Sequence, residues 1–322
     1  MMAPDDRQEA RMNPSQRLDT QELCPDCGGQ RLHDLGPLPG NAWFAGVHHA
    51  TPQPPGRLLA CAGCGLRFRW PRADGSVYLS LYTEVAVSTW ADELRPDFEL
   101  VVEQVRRRVP AGARLLDLGC HTGALLSLLQ QDYACFGVEP NPSARAIALT
   151  RGVRQAWEVL DAVPAGERFD AILCCDVIEH VPSPARLLAQ LMDRLTPGGL
   201  LIFSTGDADS WLARLCGPRW WYCFYSEHIS FVSSHWLQAI AARQGLALLD
   251  LQRFCHAPVG AGLRMKRGAM ALGYAVAPGL VGGALAAVGS RAFVEWPVGD
   301  GVAKDHLCAV LTRAQPEVRN QD

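Results

Sequence analysis

The 322-residue sequence has little net charge and no run of basic residues. Its 30 Lys and Arg residues are opposed by 33 Asp and Glu residues, which gives a formal net charge of −3 at pH 7. A nucleic-acid-binding surface needs clustered Lys and Arg side chains to neutralise phosphates. The composition therefore predicts no nucleic-acid partner.

The N-terminal segment also lacks a hydrophobic run. Residues 1–21 are polar and contain no apolar stretch of the kind that a secretory signal requires. We expect this segment to be a disordered leader. The rest of the chain, with 48% hydrophobic residues overall, has the composition and length of a globular protein with a full core.

The twelve cysteines are not spaced like a disulfide framework. Five of them lie in apolar runs typical of core strands, where a free thiol behaves as a small hydrophobic side chain. These five are Cys120, Cys135, Cys174, Cys175 and Cys308. Free thiols are the normal state in a reducing compartment, so the cysteines favour a cytoplasmic location.

Four other cysteines form two matched pairs. Cys24 and Cys27 make one Cys-x-x-Cys motif, Cys61 and Cys64 make another, and each motif is followed by glycine. Two such motifs supply four thiolates for one tetrahedral ion, and four protein ligands leave no open position for catalysis. We therefore predict a structural zinc module over residues 22–72; four unrelated thiols or a redox pair are the alternatives.

From residue 111 onward, strand and helix patterns alternate, which predicts a parallel α/β sheet. Residues 73–110 are expected to form a linker and helices that cover the site, with one helix over 98–109. The predicted strands lie at 114–118, 134–139, 153–159, 169–175, 200–205, 246–253 and 307–312. The predicted helices among them lie at 124–130, 144–150, 185–195 and 235–244.

The first of these strands runs into a glycine-containing turn, Gly119-Cys-His-Thr-Gly123. An acidic residue at the end of the next strand, Glu139, is suited to binding both ribose hydroxyls of a nucleoside. The turn lacks the three-glycine spacing that packs a pyrophosphate, and Asp117 would repel a diphosphate. A cationic, phosphate-free nucleoside suits these residues better than a nicotinamide dinucleotide.

Four segments resemble, in order, the motifs of class I S-adenosylmethionine-dependent methyltransferases. They are Leu115–Gly123, Gly137–Pro140, Phe169–Val181 and Leu195–Gly199. The resemblance implies a Rossmann-like, seven-stranded α/β sheet with helices on both faces, whose final strand is antiparallel. It also implies a methyltransferase domain over residues 111–322 with S-adenosyl-L-methionine as cofactor.

The same resemblance implies the cofactor-binding residues. Asp117, Gly119, Cys120 and Gly123 would surround the methionine part of the cofactor, Glu139 would bind its ribose, and Asp176 would complete the site. The sequence after the third strand offers no clear acidic residue for the adenine amine, so that contact stays unassigned.

A second group of residues is suited to the acceptor. Tyr225-Ser-Glu227-His228 follows an aromatic cluster beyond the fifth strand, and a histidine beside a carboxylate can act as a general base. With the four-cysteine module, this segment resembles the bacterial sugar C-methyltransferases. That resemblance implies that His228 is the base, that Glu227 and Tyr225 orient a nucleotide-linked sugar, and that Tyr78 or Tyr82 completes the pocket. His180 is expected to be a structural turn residue.

An apolar segment interrupts the predicted domain at about residues 257–300. Its centre, 268–290, contains no charged residue, although Arg264, Lys266 and Arg267 precede it. Its proline and repeated glycines disfavour a spanning helix. We expect a hairpin of short helices that forms a lid or a homodimer surface in preference to a peripheral membrane contact.

The sequence thus predicts methyl transfer to a small-molecule acceptor, with a nucleotide-linked sugar or related carbohydrate as the first hypothesis and carbon or oxygen as the target atom. An O-methyltransferase of a lipid, quinone or natural product is the alternative within the same class. A non-catalytic interaction protein with a zinc module and a vestigial fold is the alternative from another class.

Overall fold

The computed structural model describes residues 22–38, 40–44, 47–73, 75–84, 87, 95–287 and 301–314. The expected leader at 1–21 lies outside these residues, as does the end of the apolar segment at 288–290. Within the described part of the chain, no helix is both long and apolar enough to cross a bilayer.

The centre of the fold is a seven-stranded sheet. Its strands are β6 (Arg114–Leu118), β7 (Ala134–Val138), β8 (Gln155–Trp157), β9 (Phe169–Cys175), β10 (Leu195–Gly206), β12 (Leu246–Phe254) and β13 (His306–Arg313). They pair in the order β12-β13-β10-β9-β6-β7-β8. The last strand, β13, is antiparallel to both β10 and β12, whereas β6 to β10 pair in parallel. This is the sheet that the resemblance implied.

Helices connect the strands and cover both faces of the sheet. They are α2 (Pro96–Arg108), α3 (Ala124–Ser127), α4 (Pro142–Thr150), α5 (Pro184–Met192), α6 (Trp211–Cys216), α7 (Ser234–Gln244), α8 (Ala261–Val276) and α9 (Pro278–Ala287). Local sequence sets several of their starts, because the side chains of Asn141, Ser183, Ser210 and Ser233 accept hydrogen bonds from backbone N–H groups in the first turn.

The predicted elements agree with the structure in type and order but differ in extent. The helix after the glycine turn ends at Ser127 instead of residue 130, and α5 ends at Met192 instead of residue 195. The third strand, β8, spans Gln155–Trp157 instead of 153–159, and β10 begins at Leu195 instead of residue 200. A register shift between Leu195 and Leu200 accommodates the added residues of β10. These differences lie at element ends, where sequence signals are weakest.

The four-cysteine segment builds a second, smaller sheet. It consists of β1 (Leu32–Leu38), β4 (Gly56–Cys61), β5 (Arg67–Trp70) and β11 (Ser230–Phe231) in the order β1-β4-β5-β11. A separate hairpin, β2 (Asn41–Phe44) and β3 (Val47–Gln53), and the helix α1 (Gly75–Glu84) belong to the same half of the chain. Because β11 comes from the later part of the sequence, its pairing with β5 extends the small sheet across the predicted domain boundary.

One carboxylate anchors the cysteine module to the large sheet. Asp26, between Cys24 and Cys27, accepts hydrogen bonds from Ser183 Oγ at 2.8 Å and from the Ala185 backbone N–H at 3.1 Å. Its other oxygen accepts from Trp236 Nε1 at 2.8 Å. These partners belong to the starts of α5 and α7, so one side chain holds two helices against the module.

We predict that Asp26→Ala lowers the free energy of unfolding by about 2–4 kcal/mol, because it leaves the buried indole N–H and a helix N-terminus without their acceptor. Denaturant unfolding measures the change. Asp34→Ala is the control, since Asp34 pairs with Arg57 at a solvent-exposed position of the same module and should cost less than about 1 kcal/mol. Equal losses for the two variants would contradict the anchoring role.

Candidate functional site

The glycine turn after β6 is shaped by close contacts that exclude side chains. Gly119 has φ +78°, and a Cβ there would lie 2.7 Å from Val177 Cγ2. Gly123 has φ +79° at the start of α3. The N–H groups of Gly119 and Cys120 both donate to the Val138 carbonyl, at 2.8 and 3.1 Å. The turn is therefore pinned to the end of β7, beside Glu139.

Cys120 turns its side chain inward. A Cβ on Gly137 would lie 2.4 Å from the Cys120 Sγ, and the Cys120 side chain is buried. Burial raises the pKa of this thiol, with further raising by the nearby Asp117 carboxylate. The inward thiol fills the gap above Gly137, so the part of Cys120 suited to contacting a ligand is its backbone.

Glu139 holds the turn from the other side. Its Oε2 accepts from the His121 N–H at 2.9 Å, and its Oε1 accepts from the Asn141 N–H at 2.8 Å. A carboxylate has about four lone-pair positions, so one remains on each oxygen for a pair of hydroxyl donors. Burial raises the pKa of Glu139, and the two backbone N–H groups oppose that shift.

Asp117 is the most strongly perturbed acid of the turn. It is buried, and desolvation raises its pKa to about 8. The Arg95 guanidinium opposes this shift, while the charges of Glu139 and Asp97 add to it. An acid of this kind is stabilised in its ionised form by any cation that enters the turn.

Asp176 follows β9 in a left-handed backbone conformation, with φ +51°. One oxygen, Oδ2, meets Arg95 at 3.0 Å and His256 Nε2 at 3.3 Å. Burial would raise the pKa of Asp176, but Arg95 and His256 together hold it below its usual value. The other oxygen, Oδ1, is buried with no hydrogen-bond partner among the described residues.

Arg95 is a site residue that the sequence did not reveal. It lies just before α2, pairs with Asp97 as well as Asp176, and stacks over the Phe98 ring at 4.6 Å. It contacts Asp176 across 81 positions of the chain, and no local motif marks it.

The predicted base, His228, is buried with a fixed ring orientation. Its Nδ1 lies 2.9 Å from the Tyr222 carbonyl, which can only accept, so Nδ1 carries the proton and Nε2 keeps its lone pair. Burial, and then the neighbouring His180, lower the pKa of His228 well below its usual value. Both influences favour the neutral imidazole.

Tyr222 is held by a buried carboxyl, Glu179. The Tyr222 hydroxyl donates to Glu179 Oε1 at 2.5 Å and accepts from the Gly206 N–H at 3.1 Å. Thr205 Oγ1 donates to the other Glu179 oxygen at 2.9 Å. Burial raises the pKa of Glu179 to about 7, with the Asp176 charge adding to the shift.

His180 lies beside His228, with ring centroids 4.9 Å apart. Its Nδ1 is 3.0 Å from the Glu227 carbonyl and 2.8 Å from the Tyr82 hydroxyl. The expected turn residue thus also forms one wall of the site. Tyr82 is the predicted tyrosine that reaches it, whereas Tyr78 stacks on Phe44 at 6.1 Å within the core.

Tyr225 and Glu227 lie in the same loop as His228. The Tyr225 ring is 4.9 Å from the His228 ring, and Ser226 Oγ donates to Glu227 Oε2 at 3.4 Å. The loop is tied down by Arg69 of β5, which donates to the Cys223 carbonyl at 2.7 Å and the His228 carbonyl at 3.4 Å. Arg69 is buried, so the small sheet positions the backbone of the predicted acceptor loop.

The four module cysteines form a compact group. Cys24 Sγ lies 3.4 Å from Cys64 Sγ, and Cys27 Sγ lies 3.5 Å from Cys61 Sγ. All four Sγ atoms are within 4.8 Å of one another. Zinc–sulfur bonds of about 2.3 Å place tetrahedral sulfurs about 3.8 Å apart, so this spacing fits one ion.

Comparison with known proteins supports the class. Residues 93–251 match the family model of the methyltransferase domain. The ubiquinone biosynthesis O-methyltransferase of Xanthomonas axonopodis pv. citri is 37% identical over 115 residues, which is 32% of this chain and 48% of that protein. The enzyme of the same name from Aeromonas salmonicida is 26% identical over 163 residues, 46% of this chain and 68% of that one. The chain spans about half the length of most such relatives.

Solved structures are similar only in part. A methyltransferase from Geobacter sulfurreducens in complex with S-adenosyl-L-homocysteine is 16% identical and covers 74% of this chain and 95% of its own, with a TM-score of 0.41. A sugar N-methyltransferase from Streptoalloteichus is 30% identical over 33% of this chain and 46% of its own, with a TM-score of 0.29. These scores are too low to support an argument about substrate.

The family match, together with the strand order and the glycine turn beside Glu139, defines the class. The chain carries a methyltransferase domain with the fold of the class I S-adenosylmethionine-dependent methyltransferases. The domain class and the fold class expected from the sequence are confirmed.

Proposed function

We propose that this protein binds S-adenosyl-L-methionine at the turn between Asp117 and Glu139 and transfers its methyl group to a small-molecule acceptor. The observation that carries this proposal is the buried Asp176 Oδ1 without a partner, in a site where Asp117 and Glu139 are also buried. Buried, incompletely paired carboxyl groups are costly unless a polar or cationic ligand satisfies them.

The residues divide between cofactor and acceptor. The cofactor supplies a methyl group that is already electrophilic because it is attached to a sulfonium. Glu139 offers one lone pair per oxygen to the ribose hydroxyls, and the Gly119–Gly123 turn and Asp117 enclose the methionine part. His228 Nε2 accepts the acceptor's proton, while Glu227 and Tyr225 orient the acceptor beside it.

An acceptor hydroxyl is the target that we favour. The similarity to ubiquinone biosynthesis O-methyltransferases supports transfer to oxygen. The aromatic wall formed by Tyr82, Tyr222 and Tyr225 around two histidines suits a ring-shaped acceptor. Methylation of a sugar-linked carbon is the second candidate, favoured by the Tyr225-Ser-Glu-His228 segment. Screening phenolic and quinol acceptors against nucleotide-linked keto-sugars distinguishes the two.

We predict that His228→Ala lowers kcat by about 10²- to 10⁴-fold, because it removes the proton acceptor. The affinity for S-adenosyl-L-methionine, measured by calorimetry, should stay within about twofold. His235→Ala is the matched control, since His235 is exposed on α7. Full activity of the His228 variant would overturn its role, and absence of cofactor binding by the unaltered protein would favour the non-catalytic alternative.

We also predict that cofactor binding releases protons at neutral pH. With no cation beside it, Asp117 has a pKa of about 8 and is therefore largely protonated at pH 7. A bound cation favours the ionised form, so affinity should rise with pH by at most about tenfold per unit until the pH passes about 8. Calorimetry in buffers of different ionisation enthalpy counts the protons.

Asp117→Asn should remove this pH dependence and weaken binding, whereas Asp132→Asn, at an exposed position, should leave both unchanged. Proton uptake on binding, or a pH profile unaffected by Asp117→Asn, would contradict the assignment.

The zinc module is part of the same proposal. We propose that Cys24, Cys27, Cys61 and Cys64 hold one structural Zn²⁺, which keeps β4 and β5, and with them Arg69, in place behind the acceptor loop. The four-thiol spacing supports this. We expect one zinc per chain by metal analysis, and a lower thermal unfolding midpoint after chelation or in Cys64→Ser. Cys255→Ser is the control. Folded protein with an unchanged midpoint and no zinc would refute the proposal.

A further inference from the structure

The hairpin of α8 and α9 presents an apolar surface to solvent. The side chains of Met265, Leu272 and Val276 are 75%, 51% and 76% exposed, and Leu280 of α9 is 78% exposed. These four residues form the hairpin face. Several exposed large apolar side chains on adjacent helices indicate a surface that binds another protein or a membrane.

The hairpin face is a regular stripe. Met265, Ala269, Leu272 and Val276 are spaced i, i+4, i+7 and i+11, which places them on one side of α8. In α9, exposed Leu280, Ala284 and Ala287 repeat the same spacing. The two helices pack together, with a Cβ on Gly273 meeting Val281 at an ordinary 3.4 Å. Exposed apolar side chains at helical spacing thus lie on both helices of the packed hairpin.

The rest of α8 attaches the hairpin to the protein. Ala271 is buried in the cluster that contains Leu212, Trp220 and Tyr222. Ala271 lies about 120° around the helix from the stripe, since each residue turns about 100°. The hairpin is thus seated beside the aromatic wall of the acceptor site, with its apolar stripe turned elsewhere. If the hairpin were a lid closed over the site, the stripe would be buried. The large side chains of the stripe are at least half exposed, so in this conformation the hairpin is not a closed lid.

The charges of the hairpin indicate the kind of surface that it binds. Residues 261–287 contain Arg264, Lys266 and Arg267 and no Asp or Glu. Arg264 and Lys266 flank Met265 at about 100° on either side, so cations border the stripe. A two-fold interface between copies would bring both sets of cations together without a carboxylate of the hairpin to neutralise them. An anionic lipid surface matches the cations and receives the apolar side chains.

We propose that the α8–α9 hairpin docks this protein on an anionic bilayer surface, lying in the interface with Met265, Leu272, Val276 and Leu280 inserted. The docking does not depend on the methyl-transfer proposal. It goes beyond that proposal because it would place the acceptor site near the membrane. The same helix, α8, packs on the cluster that holds Trp220 and Tyr222.

Flotation of the full chain with lipid vesicles tests the docking. We expect binding to vesicles rich in phosphatidylglycerol, weaker binding to pure phosphatidylcholine, and loss of binding at high salt. Arg264→Ser with Lys266→Ser should weaken binding about thirtyfold, because each basic residue near an anionic surface contributes about fivefold. Met265→Ser with Leu272→Ser should weaken it at least tenfold.

The matched control is Leu149→Ser with Leu249→Ser, which alters two leucines that are 46% and 45% exposed on α4 and β12 and should leave vesicle binding unchanged. Circular dichroism and calorimetry with S-adenosyl-L-methionine check that each variant is folded. If the unaltered chain does not bind the cofactor, that result counts against the methyl-transfer proposal and not against the docking. Absence of vesicle binding, or binding that the hairpin variants leave intact, would overturn the docking. A concentration-dependent dimer in sedimentation velocity that the hairpin variants abolish would assign the face to a second copy and also overturn it.

Discussion

The site depends on a concentration of carboxyl groups at one edge of the sheet. Asp97, Asp117, Glu139 and Glu179 are buried there, and Asp176 is partly buried. The ends of β6, β7 and β9 and the start of α2 place them at this edge. Negative charges in a poorly hydrated environment raise one another's pKa and must be neutralised by protons, hydrogen bonds or cations. Arg95 and His256 supply part of that compensation, and backbone N–H groups supply another part at Glu139.

The remaining imbalance would favour a cationic ligand over an anionic one. Asp117 keeps a raised pKa, and Asp176 keeps one oxygen without a partner. An anionic diphosphate would add to the repulsion, whereas a sulfonium with an ammonium group and ribose hydroxyls would relieve it. The electrostatics of the turn therefore favour the cofactor that the motif order implied, for a reason that does not depend on the resemblance.

Hydrogen bonds tie the small sheet both to helices of the large sheet and to the proposed acceptor loop. Asp26 fixes the cysteine module to the starts of α5 and α7, and Arg69 fixes the proposed acceptor loop to β5. A zinc ion bound by the four cysteines would therefore stabilise the position of His228 indirectly, through the backbone of β5 and the loop. The segment between Cys24 and Cys27 contacts α5 and α7 and does not itself contact the site. This arrangement argues against the non-catalytic alternative, because a module that only recruits a partner would not need the buried Arg69 behind His228.

The sequence by itself determined the elements and the cofactor turn. Apolar runs of strand length, the glycines at 119 and 123, and Glu139 eighteen positions after His121 are local signals, and local hydrogen bonding and steric limits fix what they form. The paired cysteines likewise predicted their own grouping, because the two short motifs each fix two ligands. Only the tertiary structure brought Arg95 to Asp176, Arg69 to the acceptor loop and Glu179 to Tyr222, since these contacts join residues 81, 154 and 43 positions apart. The proline and glycines of the apolar segment predicted its two helices. The tertiary structure decided which of their side chains are exposed, because composition predicts that a segment is apolar but only packing determines which of its side chains are buried.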